Sequence, residues 1–439
     1  MLSAARNALR VFSNFWSSPF HRASAESLGL RIGCRDRNCA ETCRLDIFNE
    51  RPRLQGPIGH SGFKCMRPSS IKLFLCGDVM TGRGIDQILP YPCNPRIYEE
   101  CMASAEEYVG LAEDVHGDIP RSAPFSYIWG TALQEFERAK PDLRIINLET
   151  SVTRNESYFP KGINYRMSPE NAGCLISAGV DCCALANNHV LDWGRAGLFD
   201  TLETLERVKI KPAGAGHCLA EAWAPAVFEI PDRGRVLIFS CACVSSGAPM
   251  SWAAKSDAAG IALLPSLSEH NVSRIVDAIS RAVEPDDVVV LSVHCGPNWG
   301  YEVSNDDRKF ARRLIDAAPI SVLHCHSSHH PKGIEVYRDR LILYGCGDFL
   351  NDYEGISGYE EYRGDLALMY FAEVEAGTGF LLALEMTPLQ IRRFSLCPPS
   401  ATDVAWLQRK LDYESRKLGA RVSSTSGGRL ALSWRRQTA

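Results

Sequence analysis

Seven short apolar runs, each ending in a polar or glycine-rich turn, recur between residues 71 and 349 and limit what this chain can fold into. They are IKLFLCGDVM, LRIINLET, DCCALANNH, RVLIFSCACV, DVVVLSVHCG, ISVLHCHSS and LILYGCGDF. Between several of them lie stretches of helical period: SYIWGTALQEFERA, GLFDTLETLERVK, LSEHNVSRIVDAISRAV and DDRKFARRLIDAA. Strands alternating with helices predict a layered α/β fold, in which ligands collect beyond the carboxyl ends of the strands. Residues 363–396 are strand-rich without helices and predict an antiparallel hairpin closing a sheet. Residues 403–422 predict a charged amphipathic helix whose acid and base spacing suits a solvated face. The final STSGGRLALSWRRQTA reads as a frayed tail. The stretch 90–125, rich in Pro, Gly and acids, is long for a strand-to-helix connection, and long loops of that kind often carry function.

At 439 residues, 45% hydrophobic and 23% charged, the chain can bury a full core. A formal net charge of −4 without a long basic run leaves no electrostatic footprint for nucleic acid, and keeps open a small, anionic or polymeric partner. No apolar run approaches the roughly 18–20 residues a membrane-spanning helix needs, so no integral membrane segment is expected. The seventeen cysteines are an odd number, and many sit inside apolar strands, where a thiol behaves as a small hydrophobe. That usage favours a reducing compartment, cytoplasmic or organellar. The first 25 residues hold three arginines and several serines, with no acid before Glu26, the composition of an organellar transit peptide. Met66, directly before the first apolar run, offers the alternative of an upstream leader. Cys34, Cys39 and Cys43 have spacings that fit no common zinc site. The expected organisation is a leader at 1–65, a main domain at 66–400, and a C-terminal helix and tail at 401–439.

Five of the strand ends carry residues that bind metals. Asp78 follows KLFLCG, Glu149 follows RIINL, and Asn187, Asn188 and His189 follow CCALA; His294 ends VVVLSV, and His324, His326, His329 and His330 follow ISVL. Alone, each has an ordinary reading: a helix N-cap, an exposed turn acid, a turn asparagine pair or a satisfied core histidine, the last applying best to His324. At one end of one sheet, the oxygen and neutral imidazole donors suit Mn²⁺, Fe²⁺ or Zn²⁺. Strand alternation turns Cys295 and Cys325 to the opposite face.

In order along the chain, GDVMTGRGID, NLETSVT, ANNHVLDWG, HCGPNWGYEV, HSSHHPKGIEVY and LILYGCGDFLND resemble the CapA/PgsA-type capsule-synthesis proteins associated with poly-γ-glutamate. That family is a branch of the calcineurin-like metallophosphoesterases, and the resemblance covers roughly residues 70–400. It implies a four-layer α/β/β/α sandwich holding one or two divalent metal ions. By the same resemblance Asp78 is a ligand of one metal and Glu149 the bridging carboxylate. Asn188, His294 and His326 serve the second metal, and His329 is shared with the first; a slip of one residue would exchange His329 with His330. His189 is the imidazole that protonates the leaving group. The superfamily places a histidine two residues after the first aspartate, where this chain has Met80. One metal site would then be complete and the other weak or empty.

Around this centre, Arg83 is either a bidentate clamp for a carboxylate or phosphate or an ordinary surface arginine. Asp192, Glu302 and His330 are candidate substrate contacts at the rim, and Asp348 is either an outer-sphere residue or a cap. The resemblance implies a metal-dependent hydrolase or transferase acting on a phosphoester or γ-glutamyl amide. Its alternative is a non-catalytic accessory that binds the anionic polymer.

Overall fold

The structure is a computed structural model that describes residues 69–436. The leader and Cys34, Cys39 and Cys43 lie outside the described residues. The chain enters through β1 (Ser70–Val79) and adds β2 (Leu143–Leu148), β3 (Cys182–Ala184) and β4 (Lys211–Ala213) in parallel on one side. It then crosses to a second sheet built from β5 (Ala226–Ile230), β6 (Gly234–Cys243), β7 (Leu263–Leu264), β8 (Val288–His294), β9 (Ile320–His326), β10 (Ile334–Tyr337) and β11 (Arg340–Leu343). β6, β8, β9 and β11 run parallel, so the second sheet also gathers its carboxyl ends on one edge.

The chain returns to the first sheet with a short strand, β12 (Asp348–Leu350), laid parallel to β1 with Asp348 opposite Asp78. The expected hairpin follows as β13 (Leu366–Glu375) and β14 (Leu381–Arg392), and β13 pairs antiparallel with β1.

Period-two alternation explains how two sheets stack. In β1, Ile71, Leu73 and Leu75 face a core shared with the second sheet, while Phe74 and Cys76 face helices. In β8, Val288 and Val290 face the shared core, and Val289, Leu291 and Val293 the other side. The helical side of the first sheet is covered by α1 (Glu106–His116), α2 (Ala132–Ala139) and α3 (Gly194–Arg207), and that of the second by α4 (Glu269–Ser280) and α5 (Asn305–Ala317). Cys325 belongs to the outer core of the second sheet, with Cys295 packed against it, as alternation predicts.

Two expectations need correction. Residues 90–125 are not one long loop, since they contain α1, whose Tyr108 and Val109 are fully buried. Nor does the tail fray. α6 spans Ala401–Arg416 and stops short of the expected 422; the residues after it form β15 (Ala420–Ser424) and β16 (Leu430–Trp434), an antiparallel pair that extends the first sheet through β14. Its serines and glycines concealed a strand pattern in which Val422 and Leu430 face the inter-sheet core. Leu430→Ala should therefore cost about 2–5 kcal/mol, read as a lower urea midpoint, whereas a frayed tail would give no change.

Candidate metal centre

Parallel strands bring the chemistry together. Asp78 lies opposite Asn147 in the β1–β2 register and opposite Asp348 in the β1–β12 register; His294 lies opposite His326 between β8 and β9. Gly77 permits the close crossing of β1 and β12, because a side chain there would meet the carbonyl oxygen of Gly347 at 1.6 Å. The amide of Asp78 donates to that same oxygen at 3.0 Å.

A chain of amides organises the carboxylates. Asn187 Nδ2 donates to Asn147 Oδ1 at 3.0 Å, and Asn147 Nδ2 donates to Asp78 Oδ1 at 2.8 Å and to Glu149 Oε2 at 3.1 Å. Asn187 Oδ1 accepts from the amides of His189 and Val190, shaping the turn that presents Asn188 and His189. Asn188 Oδ1 lies 3.0 Å from His294 Nε2, whose Nδ1 lies 2.8 Å from His326 Nδ1. Ser292 Oγ meets His326 Nε2 at 2.8 Å, and His324 is held between Ser292 and the Cys76 carbonyl as a core histidine.

Donor atoms of Asp78, His294 and His326 all lie within 4.8 Å of one another, as do those of Asp78, His329 and Asp348; all five residues are buried. Burial, followed by repulsion from Asp348, pushes the Asp78 carboxyl up, and burial with repulsion from Asp78 and Asp348 does the same to Glu149. Burial holds His294 and His326 far below the ordinary imidazole value, leaving neutral rings, the form that ligates. For His329, burial is outweighed by Asp348 and Asp78, and its value rises. Crowded buried carboxylates beside neutral imidazoles are a donor set that a divalent cation would relieve, so the residues fit one.

Residues 72–353 match the family described as bacterial capsule synthesis protein PGA_cap, a span that holds the whole cluster from Asp78 to Asp348. The chain belongs to this family. It is 43% identical over 357 residues to a probable polyglutamine synthesis accessory protein of Mycobacterium tuberculosis, covering 81% of this chain and 94% of that one. It is also 29% identical over 258 residues to the PGA biosynthesis protein CapA of Bacillus subtilis, covering 57% of this chain and 62% of that one. Over 271 residues it is 26% identical to the capsule biosynthesis protein CapA of Bacillus anthracis, covering 60% and 61%.

In this PGA_cap chain the structure assembles Asp78, Glu149, Asn188, His189, His294, His326 and His329. Glu149 Oε1 lies 3.8 Å from both His189 Nε2 and His294 Nε2. His329, rather than His330, faces the carboxylates, with Nδ1 at 2.8 Å from Asp348 Oδ1. His330 is packed instead among Trp299, Tyr301 and Tyr362, and accepts the Gly300 amide at Nε2.

The other rim candidates differ in burial and partners. Arg83 is a bidentate clamp, but on the carboxylate of Asp352 inside the fold, and it is not a surface residue. It is buried, pairs through Nε and Nη2 with Asp352 and through Nη1 with Glu99 and Tyr108, and so has its donors committed inside the fold. Asp192 is wholly buried and turns to His189, with Oδ2 at 2.7 Å from Nδ1. Glu302 is exposed, and its backbone carbonyl accepts from Lys332.

Lys161 escaped the sequence reading, and Asp348, read there as an outer-sphere residue or a cap, stands in the cluster itself. Met80 is buried, with Tyr353 at its sulfur, and the carboxylate of Asp348 stands beside Asp78. The signal was LILYGCGDF, an apolar run ending in aspartate, but its pairing with β1 could not be read from it. Lys161 comes from a loop without periodicity. Its ammonium contacts the Asn188 carbonyl, Asp192 Oδ1 and His189 Nδ1. Asp348→Asn should weaken binding of Mn²⁺ or Zn²⁺ about 10- to 100-fold by calorimetric titration, while Met80→Leu leaves it unchanged.

Proposed function

We propose that this protein is a metal-dependent hydrolase or transferase of the calcineurin-like metallophosphoesterase type, acting on a phosphoester or a γ-glutamyl amide in poly-γ-glutamate or capsule metabolism. Supporting the fold assignment is the order of its cores, helices against one sheet, sheet against sheet, and the second sheet against helices. Asp78, Glu149, Asn188, His294, His326, His329 and Asp348 would hold one or two ions. Such ions would polarise the scissile group and activate water.

The observation that carries an enzymatic reading is the setting of His189. Its ring packs edge-on against Tyr165 with centroids 4.5 Å apart, its Nδ1 is held between Asp192 and Lys161, and its Nε2 faces Glu149. A residue that served only the architecture of the turn would not need both ring nitrogens placed. His189 supplies a hydrogen at Nε2 to the leaving oxygen or nitrogen, and Asp192 and Lys161 hold the ring for it. Burial, and then the Lys161 charge, lowers the ring to about 4, so it is neutral at physiological pH.

The accessory reading is favoured by the name of the Mycobacterium relative, a polyglutamine synthesis accessory protein. Its sequence motivation, a ligand lost at Met80, is weakened by Asp348 beside Asp78. Among the described residues no helix is long and apolar enough to cross a membrane, and the cysteines are free, which suits a reducing compartment. With a net charge of −4, a polyanionic substrate depends on local positive charge from metal and Lys161.

His189→Ala should lower hydrolysis of alkyl phosphodiesters or γ-glutamyl alkylamides about 10²–10⁴-fold while bound metal stays constant. Poly-γ-glutamate binding without turnover of either class by the metal-replete wild type would establish the accessory role instead.

A further inference from the structure

On the helical side of the second sheet lies a cavity of about 570 Å³, a size that suits a small organic ligand. One wall is made by residues 218–225, which supply Leu219, Trp223 and Pro225; the other is made by α4 and the residue after it, which supply Arg274, Ala278 and Arg281. Spacings of four and three put these last three on one flank of the helix, while Val272, Ile275 and Ile279 on the next face are buried in the outer core. The first wall is held by the backbone and by packing: the Leu219 amide donates to the Lys255 carbonyl at 2.8 Å, and Ala222 sits in the same core. None of the residues lining this cavity belongs to the metal cluster.

The charge of the cavity is one-sided. Two guanidiniums line it and no carboxylate does, in a chain whose net charge is −4. Arg281 Nε donates to the Asp277 carbonyl at 2.9 Å, and Arg274 stands over the Trp223 ring with Cζ 4.7 Å from its centroid, which places the guanidinium without using its hydrogens. Arg281, at the carboxyl end of α4, is accounted for by the helix dipole; Arg274, in the middle of the helix, is not. Trp223 adds a further donor, since its Nε1–H is buried with no partner among the described residues, a cost that an incoming oxygen would remove. The remaining walls at Leu219, Pro225 and Ala278 are apolar.

We propose that this cavity is a second binding site, separate from the metal cluster, for an organic monocarboxylate with an apolar body. The carboxylate takes two parallel hydrogen bonds from the planar fork of Arg274 and one from Trp223 Nε1. The body lies against Leu219, Pro225 and Ala278. Arg281 is exposed at the rim, where its charge draws anions toward the opening. A single guanidinium stacked on an aromatic ring matches the one charge of a carboxylate better than the nearly two charges of a phosphate monoester.

The test titrates octanoate calorimetrically into the full chain, beside octanamide, which keeps the body and removes the charge, and octyl phosphate, which changes the head. Octanoate should bind once per chain, with octanamide about 10-fold weaker or worse, a comparison that needs no variant. Arg274→Met should weaken octanoate by about the same factor, and Trp223→Phe, which keeps a ring but loses the N–H, about 3- to 10-fold. Arg281→Met should cost only about 2- to 3-fold, and that difference should vanish at high salt. Ala278→Phe, which fills the cavity without touching a charge, should abolish binding. Failure of octanoate to bind, equal affinity for octanamide, or wild-type affinity in Arg274→Met or Ala278→Phe overturns the proposal. Tighter binding of octyl phosphate than of octanoate overturns the choice of a carboxylate.

Discussion

Three carboxylates, those of Asp78, Glu149 and Asp348, are buried within one small volume, and the cost of holding like charges away from water governs what surrounds them. Asn147 gives both hydrogens of its amide to two of them, and the Ser327 amide reaches Asp78 Oδ2 at 3.2 Å. His329 and Asn351 divide the oxygens of Asp348. No arginine or lysine pairs directly with any of the three among the described residues; the one nearby ammonium, Lys161, is turned to Asp192 and His189. The local chemistry asks for positive charge that the side chains do not supply in full.

That crowding follows from backbone geometry. β12 lies so close to β1 that Gly77 and Gly347 meet without side chains, and the register then sets Asp348 opposite Asp78. Gly347 takes φ +77, a conformation glycine adopts without strain. On the other flank β2 sets Asn147 opposite Asp78, and across the shared core β8 and β9 end in His294 and His326. Ser327, directly after β9, takes φ 109 in the turn that separates His326 from His329, so that both rings stand near Asp78 and His329 also meets Asp348. Two of the outer residues that the sequence suggested as substrate contacts are engaged in this frame: Arg83 ties Asp352 to Glu99, and His330 closes an aromatic stack over Trp299.

Much of this was legible because period two and strand ends are local signals. The run KLFLCGD declares a buried strand with a polar terminus, and CCALANNH and VVVLSVH do the same. Arg83 was misread because its burial depends on Asp352, 269 residues away in the chain. The C-terminal hairpin was misread because Ser, Gly and Thr dominate its composition, while the apolar alternation of Val422, Leu430 and Leu432 is short. Asp192 was read as a rim contact and its partner His189 was not foreseen, because a side chain three residues from His189 has no periodic signature outside a helix.

The sequence by itself determined which strands exist, which ends of them carry nitrogen and oxygen donors, and the family to which those donors belong, since each is written in spacing and composition within a few residues. Only the tertiary structure decided that Asp348 stands beside Asp78 where Met80 does not serve, that His329 rather than His330 faces the carboxylates, and that Lys161 reaches the ring of His189. Those are questions of register between strands and of loops closing on distant turns, and a contact of that kind is fixed by the shared core between two sheets rather than by any neighbour along the chain.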